Sequence, residues 1–496
     1  MQATEKLYHD GLGALKNNNF KKAERLFRKF LKLEPSHFGG LNLIAIALMS
    51  MDEFAEAEKF VAKAAAMNQD SDVTYTNYGL ILGKLNKLPQ ALEQFNKALK
   101  INSKAEETWN NRGIICCQLN QYEEAVSDFE RATSLNPFYA DAFFNKARAL
   151  VELNRYPEAL VAYQKAVEFR PDFVNAWLGC GSVFAILMQH ENALSAHSKA
   201  LTFNSELSEA WAGSGNALTG LRRHDEALAA FEKALAIEPN YMRALIGRGE
   251  SLIRLGKVEQ GKQDFDAALK LGADEGKITY TLAILGVIKN LPTIPPGEVA
   301  GLFDAHADQF DEQLVEKLKY DVPGKIFSLF RGYDQRKDLD ILDLGCGTGL
   351  MGIQVKPIVK SLVGIDLAQR MLDRAKDRNL YDALVCADIG EFLAGNERKY
   401  DLVIAADVFV YIGDLTSIFD LAHQRLNNGG RFIFSIESGD EDYRLQENGR
   451  YQQSDDYIRR LSAQFGFTIE EIKKTIIREE FDAGVPGSLA ILSRSN

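Results

Sequence analysis

The feature that most constrains this chain is a sequence period of 34 residues that starts at Thr4 and continues to residue 275. Written in blocks of that length, the region gives eight blocks without one insertion or deletion. Position 20 of each block is small, and is occupied by Ala23, Ala57, Ala91, Ala125, Ala159, Ala193, Ala227 and Gly261. Position 24 is mostly aromatic, and is occupied by Phe27, Val61, Phe95, Phe129, Tyr163, His197, Phe231 and Phe265. A fixed period of this length predicts a repeat architecture.

Position 8 is a second small position, with Gly11, Ala45, Gly79, Gly113, Ala147, Gly181, Gly215 and Gly249. Small residues at positions 8 and 20 predict that two helices of a block cross closely there, while bulky residues at positions 4 and 24 fill the space between blocks. One block cannot bury its apolar face alone, so neighbouring blocks must stack. The pattern resembles the tetratricopeptide repeat (TPR) family over residues 4–275. The resemblance implies an α solenoid of eight helix pairs.

The same resemblance implies a concave face that binds a protein or a peptide. Position 6 on that face is an asparagine in three consecutive blocks, at Asn77, Asn111 and Asn145. An asparagine amide offers both a donor and an acceptor to an extended peptide backbone. We therefore take these three residues as candidate partner-binding residues. The alternative interpretation is that asparagine at this position is an ordinary feature of such repeats.

The composition of the chain disfavours several kinds of partner and several cellular compartments. The chain has 58 Lys and Arg against 69 Asp and Glu, a formal net charge of −11, which disfavours a nucleic-acid partner because such proteins normally carry a basic face. Five cysteines without a CxxC pair disfavour a disulfide framework or a zinc site, and no metal is expected. Its longest apolar runs, at 43–49 and 282–288, are far shorter than the ~20 residues of a membrane span. With no signal-peptide pattern in the first twenty residues, we expect a cytoplasmic protein.

The repeat register ends after Glu275. Residues 277–290 still favour a helix, which we expect to cap the last block, and residues 291–297 contain three prolines and one glycine. Such a cluster predicts a junction between domains. The expected organisation is a repeat array over 4–275, a capping helix and proline-rich linker over 276–297, and a second domain over 298–496.

The second domain alternates predicted helices and strands. Residues 298–331 favour two helices broken near Pro323, and residues 339–349 form an apolar strand that runs into a glycine-rich turn. Further strands are predicted at 361–366, 382–388, 401–407 and 431–437, with two final strands at 467–476 and 487–493 as an antiparallel edge. This alternation predicts an α/β domain with a doubly wound, mostly parallel sheet of seven strands.

The glycine turn marks the candidate site. Three glycines follow the first strand at its carboxyl end, where doubly wound sheets bind their ligands: Gly345, Gly347 and Gly349. A carboxylate stands at the end of each of four successive strands: Asp343, Asp366, Asp388 and Asp407. The turn lacks the GxGxxG spacing of a dinucleotide site. A pocket ringed by carboxylates suits a cationic sulfonium ligand and repels a pyrophosphate.

This motif set resembles the class I S-adenosylmethionine-dependent methyltransferases over about residues 300–496, and the whole chain resembles bacterial methyltransferases with an N-terminal TPR array. The resemblance implies S-adenosylmethionine as cofactor, with Asp343 at its ammonium, Asp366 at its ribose hydroxyls, and Asp388 with Ile389 at its adenine. Met371 either packs on the adenine or belongs to the core. The implied cofactor-binding set is Asp343, Gly345, Cys346, Gly347, Gly349, Asp366, Leu367, Met371, Asp388, Ile389 and Asp407.

A catalytic base is needed only if the acceptor must lose a proton. The candidates are Asp407, which could instead contact the cofactor, His306, which could instead be a surface or lid residue, and the two tyrosines Tyr411 and Tyr451. Arg450 and Arg460 either bind an acidic group of the acceptor or are surface charges. The segment after the fourth strand lacks the (D/N/S)PP(Y/F/W) motif of amino-directed DNA methyltransferases, and the chain has no Pro-Cys pair. An acceptor that is a small molecule or a protein is therefore favoured over nucleic acid.

Two functions remain open. The first is an active methyltransferase whose TPR array recruits a protein partner or a protein-borne substrate. The alternative is a TPR scaffold or adaptor whose methyltransferase-like domain binds cofactor without catalysis. The intact set of glycines and strand-end acids favours the active enzyme.

Overall fold

The computed structural model describes residues 2–307, 310–311, 319–329, 338–480 and 483–495. Its first part consists of consecutive helix pairs, one pair for each 34-residue block, which confirms the predicted solenoid class. These helices are α1 (Gln2–Lys16), α2 (Phe20–Leu33), α3 (Phe38–Met49), α4 (Phe54–Met67), α5 (Asp72–Lys84), α6 (Leu88–Ile101), α7 (Glu106–Gln118), α8 (Tyr122–Leu135), α9 (Ala140–Glu152), α10 (Tyr156–Phe169), α11 (Val174–Ile186), α12 (His190–Phe203), α13 (Ser208–Gly220), α14 (His224–Ile237), α15 (Met242–Arg254) and α16 (Val258–Lys270).

Glycines at position 8 make room for the ring at position 24 of the same block. A Cβ atom added to Gly11 would lie 2.8 Å from the Phe27 ring, and one added to Gly79 would lie 2.8 Å from the Phe95 ring. The position-20 alanines are fully buried. In the eighth block, a Cβ atom added to Gly261 would meet the Gly249 carbonyl oxygen at 2.6 Å, as expected for a close helix crossing.

Every first helix ends in the same corner. The residue at position 15 has a left-handed backbone with a positive φ: Asn18, Asp52, Asn86, Asn120, Asn154, Met188, Arg222 and Gly256. The next amide donates to the carbonyl at position 11, as in the 2.9 Å bond from Asn19 to Ala14. This is the Schellman pattern of helix termination, which favours Gly and Asn at the left-handed residue.

The chain divides into two compact units, Met1–Arg248 and Gly249–Asn496, and the division falls within α15. Beyond α16, the second unit contains α17 (Glu275–Ile284), α18 (Pro296–His306), α19 (Val322–Ser328), α20 (Leu350–Val355), α21 (Gln369–Asp377), α22 (Ile389–Gly395), α23 (Thr416–Arg425) and α24 (Asp455–Gln464). Pro323 lies in the first turn of α19, where the missing amide hydrogen costs no helical hydrogen bond.

The second unit is built on a seven-stranded sheet in the order β3-β2-β1-β4-β5-β9-β8. Its strands are β1 (Leu339–Leu344), β2 (Val359–Asp366), β3 (Ala383–Cys386), β4 (Tyr400–Ala405), β5 (Leu426–Glu437), β8 (Phe467–Glu480) and β9 (Ala483–Arg494). Strands β1 to β5 pair in parallel, and β9 pairs antiparallel with both β5 and β8. The predicted sheet is thereby confirmed. A separate hairpin of β6 (Tyr443–Leu445) and β7 (Tyr451–Gln453) was not predicted.

Both faces of the sheet are covered by apolar clusters. One contains Phe409, Phe419, Phe432 and Phe434, and the other contains Ile341, Leu362, Ile404 and Ile433. Burial on both faces explains why the parallel strands are almost continuously apolar in sequence. In the described part of the chain, no helix combines the length and the apolar character needed to span a bilayer.

Candidate active site

A cavity of about 310 Å³ opens at the carboxyl ends of β1 to β4, where the strand order reverses between β1 and β4. This switch point is where doubly wound sheets bind their ligands. The cavity is lined by every member of the predicted cofactor-binding set except Gly349, that is by Asp343, Gly345, Cys346, Gly347, Asp366, Leu367, Met371, Asp388, Ile389 and Asp407. Sequence reasoning therefore selected residues that the fold brings together, while their roles stay predictions.

Asp343 is the second-last residue of β1 and is 1% exposed. Its Oδ2 accepts a 2.7 Å hydrogen bond from the hydroxyl of Tyr381, whereas its Oδ1 is buried and has no hydrogen-bond partner among the described residues. Burial raises the pKa of Asp343 to about 7, and the nearby Asp366 adds to that rise, while the Tyr381 hydrogen bond opposes it. A buried oxygen without a partner is costly, so this one is free to accept a hydrogen bond from a ligand.

Asp366 and Asp388 are held by backbone amides. Asp366 accepts from the amides of Gly347 at 2.8 Å and Ala368 at 2.9 Å, and burial raises its pKa against the effect of these bonds. Asp388 caps the start of α22 by accepting from the Gly390 and Glu391 amides. Both carboxylates are thereby fixed in direction and retain lone pairs for hydroxyl or amino groups of a ligand.

The glycine turn requires left-handed backbone conformations. Gly345 has φ +64°, and an added Cβ atom would lie 2.6 Å from Val408. Gly347 has φ +53°, and an added Cβ atom would meet only the Met371 Cε, at 3.7 Å. Gly345 is therefore needed by the protein itself, whereas the space beside Gly347 is open cavity.

Two acids that follow the proline-rich region bond to α21 and to the glycine turn. Asp304 in α18 accepts a 2.9 Å hydrogen bond from the Arg370 amide, and Asp311 accepts a 2.5 Å hydrogen bond from the Thr348 hydroxyl. Arg378 pairs with the same Asp311. Neither these acids nor Tyr381 were predicted as site residues. The candidate base His306 is the last residue of α18, and its side chain lies outside the described residues.

Asp407 belongs to a buried ionic cluster. Arg478 is 1% exposed and contacts Asp407 at 3.3 Å, Glu480 at 2.6 Å, and Glu437. Burial raises the pKa of Asp407, and Arg478 and Arg450 oppose that rise. The cluster places Asp407 at the cavity with an ion-pair partner, so its use as a base stays a prediction.

The proline-rich segment forms part of the cavity wall. Its Pro292 carbonyl accepts from the amides of Gly413 and Asp414, at 2.9 and 2.8 Å, and the Ile294 amide donates to Tyr411 at 3.3 Å. The Tyr451 hydroxyl donates to the Leu291 carbonyl at 2.7 Å. We call residues 291–296 the strap. Three of its residues line the cavity, namely Thr293, Ile294 and Pro296.

The two predicted anion-binding arginines differ. Arg450 lines the cavity, and its side chain is 25% exposed and paired with Glu480. Arg460 is 58% exposed, pairs with the exposed Asp442, and does not line the cavity. The surface interpretation therefore holds for Arg460 alone.

The three candidate partner-binding asparagines occupy equivalent places on α5, α7 and α9, and each is half-buried. The Asn145 amide donates a 3.0 Å hydrogen bond to Asn110, so part of its capacity is used within the array. In the next three blocks the same position is Gly179, Gly213 and Gly247. A Cβ atom added to Gly213 would lie 2.5 Å from the His197 ring of the preceding block, so the structure has no room for a side chain there.

Comparison with known families finds two kinds of domain in this chain. A methyltransferase domain family matches residues 341–430. Tetratricopeptide repeat families match residues 10–72, 73–104, 106–139, 147–186 and 208–241. The chain therefore combines TPR repeats with a methyltransferase domain.

Three relatives match parts of the chain. The biotin biosynthesis bifunctional protein BioHC of Saccharophagus degradans is 29% identical over an alignment of 167 residues, and the match covers 29% of this chain and 29% of that protein. The malonyl-(acyl-carrier protein) O-methyltransferase of Acetivibrio thermocellus is 36% identical over 107 residues, 21% of this chain and 37% of that protein. The 18S rRNA (guanine-N(7))-methyltransferase of Bos taurus is 30% identical over 86 residues, 17% of this chain and 31% of that protein. The chain thus spans well under two thirds of each relative.

Proposed function

We propose that this protein is an S-adenosylmethionine-dependent methyltransferase whose TPR array recruits a protein partner or a protein-borne substrate. The observation that carries the proposal is the buried, unpartnered Oδ1 of Asp343 beside an open glycine turn, in a cavity that also contains Asp366 and Asp388. When bound, S-adenosylmethionine would supply a methyl group carried on a sulfonium. The site supplies binding, orientation and exclusion of water.

The residues present fit this cofactor. Asp343 would accept from its ammonium, and Asp366 would accept from the ribose hydroxyls while the Gly347 and Ala368 amides hold the carboxylate in place. Asp388 and Ile389 would contact the adenine. Met371 is 1% exposed and also lines the cavity, so its packing against the adenine and its place in the core are compatible. The assignment of these roles is part of the proposal.

The acceptor side of the proposal favours a small molecule or a protein over nucleic acid. Arg450 is the only lysine or arginine among the described residues that line the cavity, which is too little positive charge for a phosphate backbone. The named acceptor of one relative is malonyl-(acyl-carrier protein), which supports an acceptor carried on a protein, whereas another relative is named for rRNA. Asp407 and His306 stay the proposed bases for an acceptor that must lose a proton.

We also propose the domain organisation as an array over 4–275, a capping helix and linker over 276–297, and a catalytic domain over 298–496. In the array, Asn77, Asn111 and Asn145 would bind the backbone of the partner. Replacing all three by alanine should weaken partner capture by the full chain without changing its affinity for S-adenosylmethionine.

Two measurements test the function. Calorimetry on the full chain should show saturable binding of S-adenosylmethionine and none of NAD, and the reverse result would overturn the enzyme class. Affinity capture through the array, followed by mass spectrometry, should then find a bound molecule that gains one methyl group when S-adenosylmethionine is added. Cofactor binding with no methylated product from any captured partner would favour the non-catalytic adaptor instead.

A further inference from the structure

The cavity has a second side that the cofactor residues do not account for. Away from the glycine turn and the strand-end carboxylates, its wall is largely apolar and includes Ile294, Val299, Leu302, Phe303 and Ile412. Arg450 is set into this wall, and among the described lining residues it is the only one that carries a positive charge. This guanidinium is partly buried and already pairs with Glu480, so an anionic ligand would have to use its remaining donors.

Arg450 is held in place but not saturated. It lies just before β7, between Gly449, whose φ is +76°, and Tyr451, whose hydroxyl is bound to the strap. Its Nη1 pairs with Glu480, which also accepts a 2.6 Å hydrogen bond from Arg478. The charge of Glu480 is therefore divided between two guanidiniums. A guanidinium has five donors in a planar fork, so its bonds to the shared carboxylate and to the Tyr411 hydroxyl leave further donors for a ligand.

The chemistry of the wall selects among anions. A planar guanidinium binds a carboxylate through two parallel hydrogen bonds, and the low dielectric of an apolar wall strengthens the pair. Asp407 lines the same cavity, and a doubly charged phosphate would be repelled by it more than a singly charged carboxylate. The apolar side chains that line the same cavity suit a hydrocarbon body attached to that carboxylate.

We infer that the methyl acceptor carries a carboxylate bound by Arg450, with an apolar body against the wall formed by Ile294, Val299 and Phe303. The inference rests on the proposed function and names the substrate class of the same site. Arg460, on the neighbouring α24, offers the same charge on the surface and is the matched control.

The test is direct binding to the full chain, measured by calorimetry. The probes are straight-chain carboxylates from butanoate to decanoate, each compared with its uncharged amide, with and without saturating S-adenosylhomocysteine. At least one acid should bind roughly tenfold or more tightly than its amide, the effect expected of a charge-assisted pair. Because the comparison uses the unaltered protein, it does not depend on the folding of a variant.

Substitutions then locate the effect. Arg450→Gln should remove the preference for the acid, Arg450→Lys should restore part of it, and Arg460→Gln should leave it unchanged. Glu480 keeps Arg478 as a partner in the Arg450 variants, so no buried carboxylate loses every contact. Equal binding of acids and amides by the unaltered protein, or an unchanged preference in Arg450→Gln, overturns this inference. Failure of S-adenosylhomocysteine to bind overturns the proposed function. In that case the binding of the acids measured in the absence of S-adenosylhomocysteine still tests whether Arg450 binds a carboxylate.

Discussion

The hydroxyl of Tyr381 donates a 2.7 Å hydrogen bond to Oδ2 of Asp343, and the other oxygen of the same carboxylate is buried without a partner in the described structure. Tyr381 thus fixes the direction of the carboxylate and leaves one acceptor for a ligand. In the free protein the unpartnered oxygen has a free-energy cost, because it is buried and accepts no hydrogen bond. A cationic ligand that donates to this oxygen would remove that cost on binding.

The first prediction concerns pH. Because burial raises the pKa of Asp343 to about 7, the carboxyl is largely protonated at pH 6 in the free protein. An ammonium ligand prefers the ionised form, so the affinity for S-adenosylmethionine should fall as pH is lowered from 7.5 to 5.5, by up to about tenfold per pH unit. Calorimetry over this range checks it. Asp343→Asn should bind weakly with little pH dependence, and an unaltered pH profile in that variant would remove Asp343 from the ligand site.

The second prediction concerns the glycine turn and distinguishes the effect of filling the cavity from the effect of backbone strain. Gly347→Val should fold, because an added Cβ atom meets only Met371 at 3.7 Å, but its side chain would occupy the cavity and abolish binding of S-adenosylmethionine. Gly429→Val is the matched control, since Gly429 has φ +73° and open space around it and does not line the cavity. Both variants should lose about 1–3 kcal/mol of stability from backbone strain, measured by urea unfolding. If both bind S-adenosylmethionine normally, the turn is not the cofactor site.

The third prediction concerns the strap. A chain that starts at Asp274 keeps α17 and the strap, whereas one that starts at Glu298 loses the contacts of Leu291, Pro292 and Ile294 with residues 411–414 and 451. At roughly 1 kcal/mol for each hydrogen bond, the shorter chain should unfold at a lower urea concentration. It should also bind S-adenosylmethionine more weakly, because part of the cavity wall is missing. Equal stability and affinity of the two chains would show that the strap is only a tether.

The fourth prediction concerns His197, which stands where five other blocks have phenylalanine. It is 4% exposed, its Nδ1 is buried without a hydrogen-bond partner in the described structure, and burial lowers its pKa to about 4. His197→Phe should therefore stabilise the array by about 1–3 kcal/mol at pH 7.

The sign of the pH effect follows from that lowered pKa. A folded pKa below the unfolded value of 6.5 means that this contribution is fully present above pH 6.5 and is lost as pH falls toward 4. Between pH 7 and 5 the loss should be about 2 kcal/mol in the unaltered protein and absent in His197→Phe. Urea midpoints at the two pH values measure it. The exposed His9→Phe is the control, and an equal pH response in both variants would contradict the assignment.

Much of the fold could be predicted because it rests on local or periodic signals. The 34-residue period gave the helix pairs, and the apolar strands followed by Asp343, Asp366 and Asp407 gave the parallel core of the sheet. The left-handed residue at position 15 was not predicted, although six of the eight blocks have Asn, Asp or Gly there and only Met188 and Arg222 depart from that pattern. The β6–β7 hairpin was missed because its strands have three residues each and no alternating pattern.

The parts of the site that could not be predicted depend on tertiary contacts. Tyr381 lies in a loop before β3, and nothing near it in sequence indicates its bond to Asp343. The sequence offered Arg450 and Arg460 as equal candidates, and only the packing of the second unit leaves one partly buried at the cavity and the other exposed. The three prolines of the strap predict a junction, yet hydrogen bonds to residues 411–414 also make it a wall of the cavity.

Two features recur within the blocks of the array: the left-handed residue at position 15, and the ring at position 24 that packs on the glycine at position 8. Together they determine how the length of the array can be altered. Adding or deleting one complete block preserves every such contact in the blocks that remain, because each block supplies both members of its own pair. A change by any other number of residues would set aromatic rings against side chains that have no room for them. The array can therefore be shortened or extended only by complete 34-residue blocks, and engineered versions with a different length should add or remove such blocks.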